Sequence, residues 1–259
     1  MEKQIEVIVG TGIGGQKNIM EAVRNEGFQV RSAGNGRQWP RDHYVCHNGT
    51  YVRRGENMGP NWNPFGEGGN IRLGEDFLLV SDRVYVSDKM RSQLGEQVDY
   101  EKVKQVISQE GARQFPNTRI HVAPTGYFHG GKGHEHIDMY TLLLPKKKVL
   151  ILDTHFGKGA GRATEYDEIA KEEQLRLIKY DGSQDGVWYP LNSLVLEKGS
   201  SDIVFADSKA VSLMRLLEQE GVKSVGIDMP QHEYSAGKIN CQTNTYNSCD
   251  NIEEFLEEF

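Results

Sequence analysis

The stretch MYTLLLPKKKVLILD, residues 139–153, opens the segment of the sequence that decides the fold. Its two apolar runs, MYTLLL and VLILD, are short and bounded by turn residues, which is typical of buried strands. Residues 164–174 carry apolar side chains at three- and four-residue spacing and predict a helix. LRLIKY at 175–180 predicts a further strand. The predicted order of elements is therefore strand, strand, helix, strand.

Similar elements follow one another along the whole chain. Further helices are predicted at roughly 17–26, 99–112, 208–220 and 250–258. The other predicted strands are 5–10, 28–33, 43–47, 50–54, 70–74, 77–81, 119–124, 193–197, 202–207 and 224–228. So many strands exceed what a simple doubly wound sheet of this length holds, and they favour β-β-α-β units repeated around an axis, a propeller-like α/β architecture. Since no linker or composition break divides the chain, we expect a single domain over residues 1–259.

Composition and charge restrict the classes of function. The 259 residues are 37% hydrophobic and 26% charged, as in an ordinary globular protein. No apolar run approaches the roughly 18 residues that cross a bilayer, and the net charge of −7 argues against a nucleic-acid partner. The three cysteines contain no CxxC pair and no signal peptide is predicted, so we expect reduced thiols and a cytoplasmic location. The sequence leaves a homo-oligomer open.

A glycine-rich turn at VGTGIGGQKN, residues 9–18, fits the dinucleotide-binding pattern G-x-G-x-x-G. Its glycines are Gly10, Gly12 and Gly15, between a predicted strand and a predicted helix. The next strand, FQVRSAGNG, lacks the acid that would bind a ribose, and the later chain does not continue as regular parallel β-α units. We therefore expect a turn required by geometry, and no cofactor.

The stretch HEHID allows a metal-site hypothesis. His134, His136 and Asp138 alternate, so an extended strand would place all three on one face. HEHID also matches the first five positions of the zinc motif H-x-H-x-D-H, but Met139 replaces the last histidine. Zinc needs further ligands, and no second ligand motif is recognisable. We expect no metal, and a zinc-dependent hydrolase built on this stretch stays an alternative.

Three more polar clusters complete the candidate site. They contain Trp39, Arg41 and Asp42 in QWPRDHYV, Glu67 and Asn70 in FGEGGN, and Cys241 in SAGKINCQTN. Each cluster alone has an ordinary structural explanation as an ion pair, a turn or a buried thiol. Together with H-I-D-M, the blocks W-x-R-D, E-G-G-N and N-C-x-T resemble, in this order, the signature blocks of the guanidino-group-modifying enzymes. These include arginine, agmatine and peptidylarginine deiminases, dimethylarginine hydrolases and amidinotransferases, and the resemblance spans residues 39–244.

The resemblance implies a five-bladed α/β propeller, the pentein fold, which agrees with the five predicted helices. It implies hydrolytic deimination of a small cationic guanidino compound through a cysteine thiouronium intermediate, with release of ammonia. In the roles it implies, Cys241 is the nucleophile and His136 the general acid/base beside Glu67. Asp42 and Asp138 would grip the guanidinium group. The other residues of the implied substrate site are Asn70, Arg41 and Trp39.

The chemistry requires such groups independently of the resemblance. A guanidinium group is flat, cationic and resonance-stabilised, and two carboxylates can bind its N–H edges in paired hydrogen bonds. A thiolate can then attack the central carbon, and a histidine can protonate the departing nitrogen and activate the hydrolytic water. The charge of the substrate also favours the thiolate form of the cysteine. No metal is required.

The substrate stays open among agmatine, free arginine and a modified arginine. E-G-G-N and W-P-R-D resemble the agmatine and bacterial peptidylarginine deiminase branch, whereas HIDMY resembles arginine deiminases. The chain is shorter than typical agmatine deiminases and lacks their glycine-rich run before the cysteine. We expect hydrolysis, with an amidinotransferase of the same fold as the alternative, and a non-catalytic propeller as a further rival. Participation of His129 and Lys132 is open, and His134 is expected to be dispensable.

Overall fold

The computed structural model describes residues 5–12, 14–34, 38–53, 65, 68–82, 100–124, 136–155, 163–230 and 238–246. Within these residues the chain has an α/β fold built from small sheets. The helices are α1 (Gln16–Asn25), α2 (Tyr100–Gln114), α3 (Ala163–Glu172) and α4 (Val211–Gln219). The strands are β1 (Glu6–Val9), β2 (Gln29–Ser32), β3 (Tyr44–His47), β4 (Thr50–Arg53), β5 (Ile71–Leu73), β6 (Phe77–Ser81), β7 (Arg119–Ala123), β8 (Thr141–Leu144), β9 (Val149–Asp153), β10 (Arg176–Tyr180), β11 (Leu194–Lys198), β12 (Ser201–Asp207), β13 (Lys223–Ile227) and β14 (Thr243–Tyr246).

The described strands form five sheets with a recurring topology. In the sheet β5-β6-β7 the first two strands are antiparallel, and α2 connects the parallel strands β6 and β7. The sheets β8-β9-β10 and β11-β12-β13 repeat this arrangement with α3 and α4. The predicted order strand, strand, helix, strand is thus present in three successive sheets.

Strand β14 completes the sheet that begins the chain. It pairs antiparallel with β1, which pairs in parallel with β2 through α1. β14 therefore takes the same place in its sheet as β5 does in the β5-β6-β7 sheet, although β14 and β1 lie at opposite ends of the described sequence. The remaining described sheet is the antiparallel pair β3-β4.

The hydrophobic core lies between successive sheets. In β8, Leu142 and Leu144 pack in a cluster with residues of β12 and α4, whereas Leu143 packs in another with residues of β6 and β7. A third cluster joins β3 and β4 to the β5-β6-β7 sheet, and a fourth joins β11 and β12 to β1 and α1. The runs LLL of β8 and VLIL of β9 are continuously apolar because both faces of their strands are buried.

The structure changes two expectations about individual elements and leaves a third untested. The strand predicted at 139–144 begins at Thr141, because Ile137–Met139 forms a 3-10 turn. Strand β14, TNTY, was not predicted because it is short and polar. The helix predicted at 250–258 lies outside the described residues.

Close packing accounts for the glycines of the G-x-G-x-x-G turn. A Cβ atom on Gly10 would lie 2.0 Å from the carbonyl oxygen of Gln38, and one on Gly15 would lie 2.7 Å from Cε of Met229. Gly12 has a φ of +79°, which L side chains rarely adopt. The turn is thus explained by geometry, as expected.

Cys46 corrects the expectation of three reduced thiols. It forms a disulfide whose partner lies outside the described residues, whereas Cys241 is a free thiol. The expectation is therefore wrong for Cys46, and the cytoplasmic location stays a prediction. None of the described helices has the length and apolarity that crossing a bilayer requires.

Candidate active site

The predicted site residues lie in segments that precede the first strand of a sheet. Three of these segments contain 3-10 turns: Pro40–Asp42 before β3, Gly68–Asn70 before β5 and Ile137–Met139 before β8. Residues 238–242, which contain Cys241, precede β14, and Asn192 precedes β11. The site thus combines equivalent positions from all five described sheets.

Cys241, His136 and Asp138 converge although they are far apart in sequence. The sulfur, a ring nitrogen of His136 and a carboxylate oxygen of Asp138 all lie within 4.8 Å of one another. The Cys241 thiol donates a hydrogen bond to Asp138 Oδ2 at 3.3 Å. A shared strand face does not explain this convergence, because His136 has extended backbone angles but Asp138 lies in the 3-10 turn. That part of the prediction is wrong.

Asp138 has one occupied and one unused carboxylate oxygen. Oδ2 accepts hydrogen bonds from the Asn240 side-chain amide at 2.7 Å and from the Cys241 thiol. Oδ1 is buried and has no hydrogen-bond partner among the described residues. An ionised carboxylate in such a place is costly unless it is paired, so Oδ1 is an acceptor suited to a cationic N–H donor.

Asn192 contacts Cys241 through hydrogen bonds and was not singled out in the sequence. Its Oδ1 accepts the backbone N–H groups of Lys238 at 3.0 Å and Cys241 at 3.3 Å. Its Nδ2 donates to Cys241 Sγ at 3.1 Å, and its side chain is buried. Nothing in LNSL distinguishes this asparagine from an ordinary turn residue.

Two buried arginines fix the backbone of the site segments. Arg41 Nε donates to the carbonyl oxygens of Asn240 at 3.1 Å and Thr243 at 3.2 Å, on either side of Cys241. The predicted contact of Arg41 with substrate stays a prediction.

Arg72, which the sequence did not single out, fixes the backbone of the segment that contains Asp138. Its Nη2 donates to the carbonyl oxygens of Asp138 at 3.0 Å and Leu191 at 2.8 Å, and also to that of Thr141.

Asp42 links its 3-10 turn to the next one. Its Oδ1 accepts the backbone N–H of Gly68 at 2.9 Å, and its side chain is half-buried. Trp39, directly before the turn, is also half-buried.

The turn Gly68–Asn70 packs against the candidate acid/base. A Cβ atom on Gly69 would lie 2.5 Å from His136 Nδ1, so only glycine allows this approach. Asn70 is buried and donates from Nδ2 to the carbonyl oxygen of Phe65 at 3.0 Å. The Asn70 amide thus fixes the local backbone.

A buried ion pair secures the start of the Cys241 segment. Lys238 Nζ lies 2.9 Å from Asp207 Oδ2, and the two side chains are only 2% and 1% exposed. Burial lowers the pKa of Lys238, and the Asp207 carboxylate opposes that effect.

The resting thiol of Cys241 is held in its neutral form. Burial raises its pKa well above the ordinary value, and the carboxylates of Asp138 and Asp42 raise it further. The hydrogen bond from Asn192 acts in the opposite direction. A cation bound beside these carboxylates would offset their effect and favour the thiolate.

Among the described residues, His136, Asp138 and Cys241 also form the one cluster of three side chains that could ligate a metal. A catalytic zinc takes three protein ligands and a water, so the alternative of a zinc-dependent hydrolase has a candidate ligand set. Glu67, His129, Lys132 and His134 lie outside the described residues, and what was predicted of them stays a prediction.

Comparison with known proteins identifies the fold. No protein-family model and no curated protein sequence matches the chain. Solved structures do match over nearly its whole length. An amidinotransferase from Microseira wollei in the saxitoxin biosynthetic pathway is 12% identical, with a TM-score of 0.62 and coverage of 96% of both chains.

Two hydrolases of small guanidino compounds match equally well. Dimethylarginine dimethylaminohydrolase from Pseudomonas aeruginosa, complexed with citrulline, is 9% identical with a TM-score of 0.61, over 95% of this chain and all of the other. The C. jejuni agmatine deiminase with bound substrate is 13% identical with a TM-score of 0.58, over 95% of this chain and 94% of the other. The structural neighbours are thus guanidino-group-modifying enzymes, and the predicted resemblance is confirmed at the level of the fold.

Proposed function

We propose that this chain hydrolyses a small cationic guanidino compound through a covalent adduct on Cys241. The convergence of Cys241, His136 and Asp138 within 4.8 Å is the observation that carries the proposal. The three residues come from segments whose sequence blocks resemble those of guanidino-group-modifying enzymes. The fold, shared with deiminases, dimethylarginine hydrolases and amidinotransferases, supports it.

In the proposed mechanism the carboxylates of Asp138 and Asp42 bind the guanidinium N–H groups. Asp138 Oδ1 has no partner among the described residues and would accept one of them. The positive charge then offsets the two carboxylates that raise the pKa of the Cys241 thiol. Substrate binding and formation of the nucleophile are thereby coupled, so the reactive thiolate forms where a substrate is present. Trp39, Arg41 and Asn70 are proposed to complete the substrate site.

With substrate bound, the Cys241 thiol is proposed to pass its proton to His136. Its thiolate attacks the central carbon, and the tetrahedral adduct breaks its bond to one nitrogen. His136 is proposed to protonate that nitrogen, which leaves as ammonia from an unsubstituted guanidine and leaves a thiouronium on sulfur. His136 then takes a proton from water as the water attacks the same carbon, and the C–S bond breaks to release the ureido product. Glu67 is proposed to orient His136.

We also propose that the five described sheets form the blades of a five-bladed propeller within a single domain. The four hydrophobic clusters between successive sheets support this arrangement. The five segments before the first strands would then meet at the axis, which accounts for a site assembled from all five sheets. A cytoplasmic location is part of the same proposal.

The experiment measures formation of the ureido product from agmatine, arginine and methylated arginines by the wild type, Cys241→Ser and His136→Ala. We expect turnover of at least one compound by the wild type and none detectable with Cys241→Ser. Loss of the acid/base should lower kcat by about 10²–10⁴-fold. His155→Ala, at an exposed histidine outside the site segments, is the matched control and should retain full activity.

Two outcomes would replace the proposal by its alternatives. Amidinotransferases are among the structural neighbours, and a wild type that forms an adduct on Cys241 but transfers its amidino group to an added amine would be one of them. Activity that is lost with a chelator, is restored by zinc and proceeds without an adduct on Cys241 would identify a zinc-dependent hydrolase.

A further inference from the structure

A small cavity lies among the first strands of four sheets, next to residues of the segments that carry the candidate active site. Leu73 of β5, Leu143 of β8, Val195 of β11 and Thr245 of β14 line it. The N-terminal ends of the same strands follow the site segments. The cavity volume is about 70 Å³, and one water needs at least about 10–15 Å³ of such volume, so a molecule of a few heavy atoms fits.

Two buried guanidinium groups lie in the wall of this cavity and contact the backbone of the site segments. Arg41 and Arg72 line the cavity and are 9% and 5% exposed. Their hydrogen bonds to the described residues use Nε of Arg41 and Nη2 of Arg72, and all go to backbone carbonyls of the site segments.

Several N–H groups of the two arginines donate no hydrogen bond to the part of the chain that the structure describes. Nη1 and Nη2 of Arg41 and Nη1 of Arg72 donate no hydrogen bond to any described residue. Arg72 Nε is buried without a partner among the described residues. Because the carbonyl oxygens that the arginines contact carry no net charge, those contacts do not neutralise the guanidinium groups.

The described charged residues that line the cavity are two arginines and one glutamate. Burial lowers the pKa of Arg72, Asp138 opposes this effect and the neighbouring Arg41 adds to it, so that the pKa is about 10. Asp138 and Asp42 also favour the charged form of Arg41. Glu197 is the one acid that lines the cavity among the described residues, and it already lies 3.1 Å from Lys146 Nζ. An anion held by the unused N–H groups would relieve the repulsion between the two cations.

We propose that this cavity binds a small monovalent anion, a carboxylate of formate size or a halide, between Arg41 and Arg72. The planar forks of the two guanidinium groups suit a carboxylate, and the cavity volume excludes large organic anions. This site shares Arg41 with the proposed substrate site, but its occupancy does not depend on the proposed reaction. Its occupant would stabilise the arginine contacts that hold the Cys241 and Asp138 segments.

The test measures the melting temperature of the full chain while sodium formate or sodium chloride replaces sodium gluconate at constant ionic strength, up to about 0.2 M. Gluconate serves as the anion too large for the cavity. We expect a saturable rise with formate and chloride in the wild type. A melting temperature that is the same in formate, chloride and gluconate would overturn the proposal, since water alone would then fill the cavity.

The variants Glu197→Gln and Glu75→Gln localise the effect. Both glutamates lie within 4.0 Å of Lys146 Nζ, but Glu197 lines the cavity and Glu75 does not. Removal of the rim carboxylate should lower the half-saturating formate concentration roughly three- to fivefold, because a partly exposed charge pair is weak, and Glu75→Gln should match the wild type. An equal response in the two variants would show a general salt effect and contradict the site.

Discussion

At the scale of single residues, the carboxylate that contacts the Cys241 thiol also favours the neutral form of that thiol. Asp138 accepts the Cys241 thiol proton in a hydrogen bond and raises the pKa of that thiol. Such a pair is stable only while the thiol is neutral or while a cation lies beside the carboxylate. The resting protein is therefore protected from oxidation and alkylation, because both require the thiolate.

The effect of Asp138 on Cys241 predicts the outcome of Asp138→Asn. A negative charge beside a thiol opposes loss of its proton, so removal of that charge should lower the pKa of Cys241. We expect the thiolate absorbance near 240 nm, taken as the difference from Cys241→Ser, to appear at lower pH in Asp138→Asn than in the wild type. Catalytic activity should fall, because a substrate-binding oxygen is lost.

Asp228→Asn provides the control for this titration. Asp228 is exposed, and its charge is not among the causes of the Cys241 shift. Its removal should leave the titration unchanged. A thiolate that forms at the same or higher pH in Asp138→Asn would contradict the assigned electrostatic relation.

The sequence singled out the three residues that converge, but not the residues that hold them in place. Cys241, His136 and Asp138 stand in short blocks that resemble a known pattern, so residue type and order were informative. Asn192 and Arg72 act through hydrogen bonds to segments 46 to 119 positions away in sequence. Such contacts depend on which strands become neighbours, and no local pattern encodes them.

At the scale of elements, a short 3-10 turn, and not the strand that the sequence suggested, positions the His136 and Asp138 side chains. The alternation in HEHID indicated a strand face, but residues from Ile137 to Met139 form a 3-10 turn with backbone hydrogen bonds from Met139 to His136 and from Tyr140 to Ile137. The tighter turn brings the His136 and Asp138 side chains toward one centre. Glycine then allows the next turn to pack against the histidine ring.

Gly69→Ala tests this packing. The added Cβ would lie 2.5 Å from His136 Nδ1, so the ring must move. A displacement of the order of 1 Å can cost about 10²-fold in rate, and we expect a loss of this size in kcat with an unchanged far-UV circular dichroism spectrum.

Gly74→Ala is the matched control for this substitution. It places a Cβ 2.3 Å from the Phe77 ring, away from the site segments. It should lower stability more than it lowers kcat. Equal kinetic effects of the two alanines would show that Gly69 matters only for folding.

Most elements were predictable from their strong apolar periodicity, whereas the short polar strand β14 was missed. Strands β6 and β9 have the predicted bounds, and the four described helices lie within a few residues of their predicted positions. β14 is an exception because its place is set by pairing with β1, more than 230 residues earlier, as in Val9 opposite Thr243. A short polar strand of this kind is defined by its partner and not by its own sequence.

At the scale of the molecule, each sheet shares its core with its neighbours. Successive residues of one strand pack in different hydrophobic clusters, as Leu142 and Leu143 do in β8. Repeat proteins that stack in a line gain stability by nearest-neighbour terms and can unfold in parts. Here the chain's last described strand pairs with its first, so the sheets are linked from both ends of the sequence.

This linkage predicts a single cooperative unfolding transition. Leu150→Ala and Leu217→Ala remove fully buried side chains from two different clusters. Each should lower the free energy of unfolding by about 2–5 kcal/mol. In urea, the midpoints by tryptophan fluorescence and by far-UV circular dichroism should shift together with an unchanged m-value.

The control is Val211→Ala, at a residue 48% exposed in α4, which should change stability by no more than about 0.5 kcal/mol. If Leu150→Ala or Leu217→Ala instead gave two separated transitions, or a reduced m-value, one group of sheets would be unfolding before the rest. The shared clusters would then be too weak to couple the sheets. Because the candidate site combines segments from every described sheet, activity would be lost at the first of the two transitions, whereas coupled sheets lose activity and structure together.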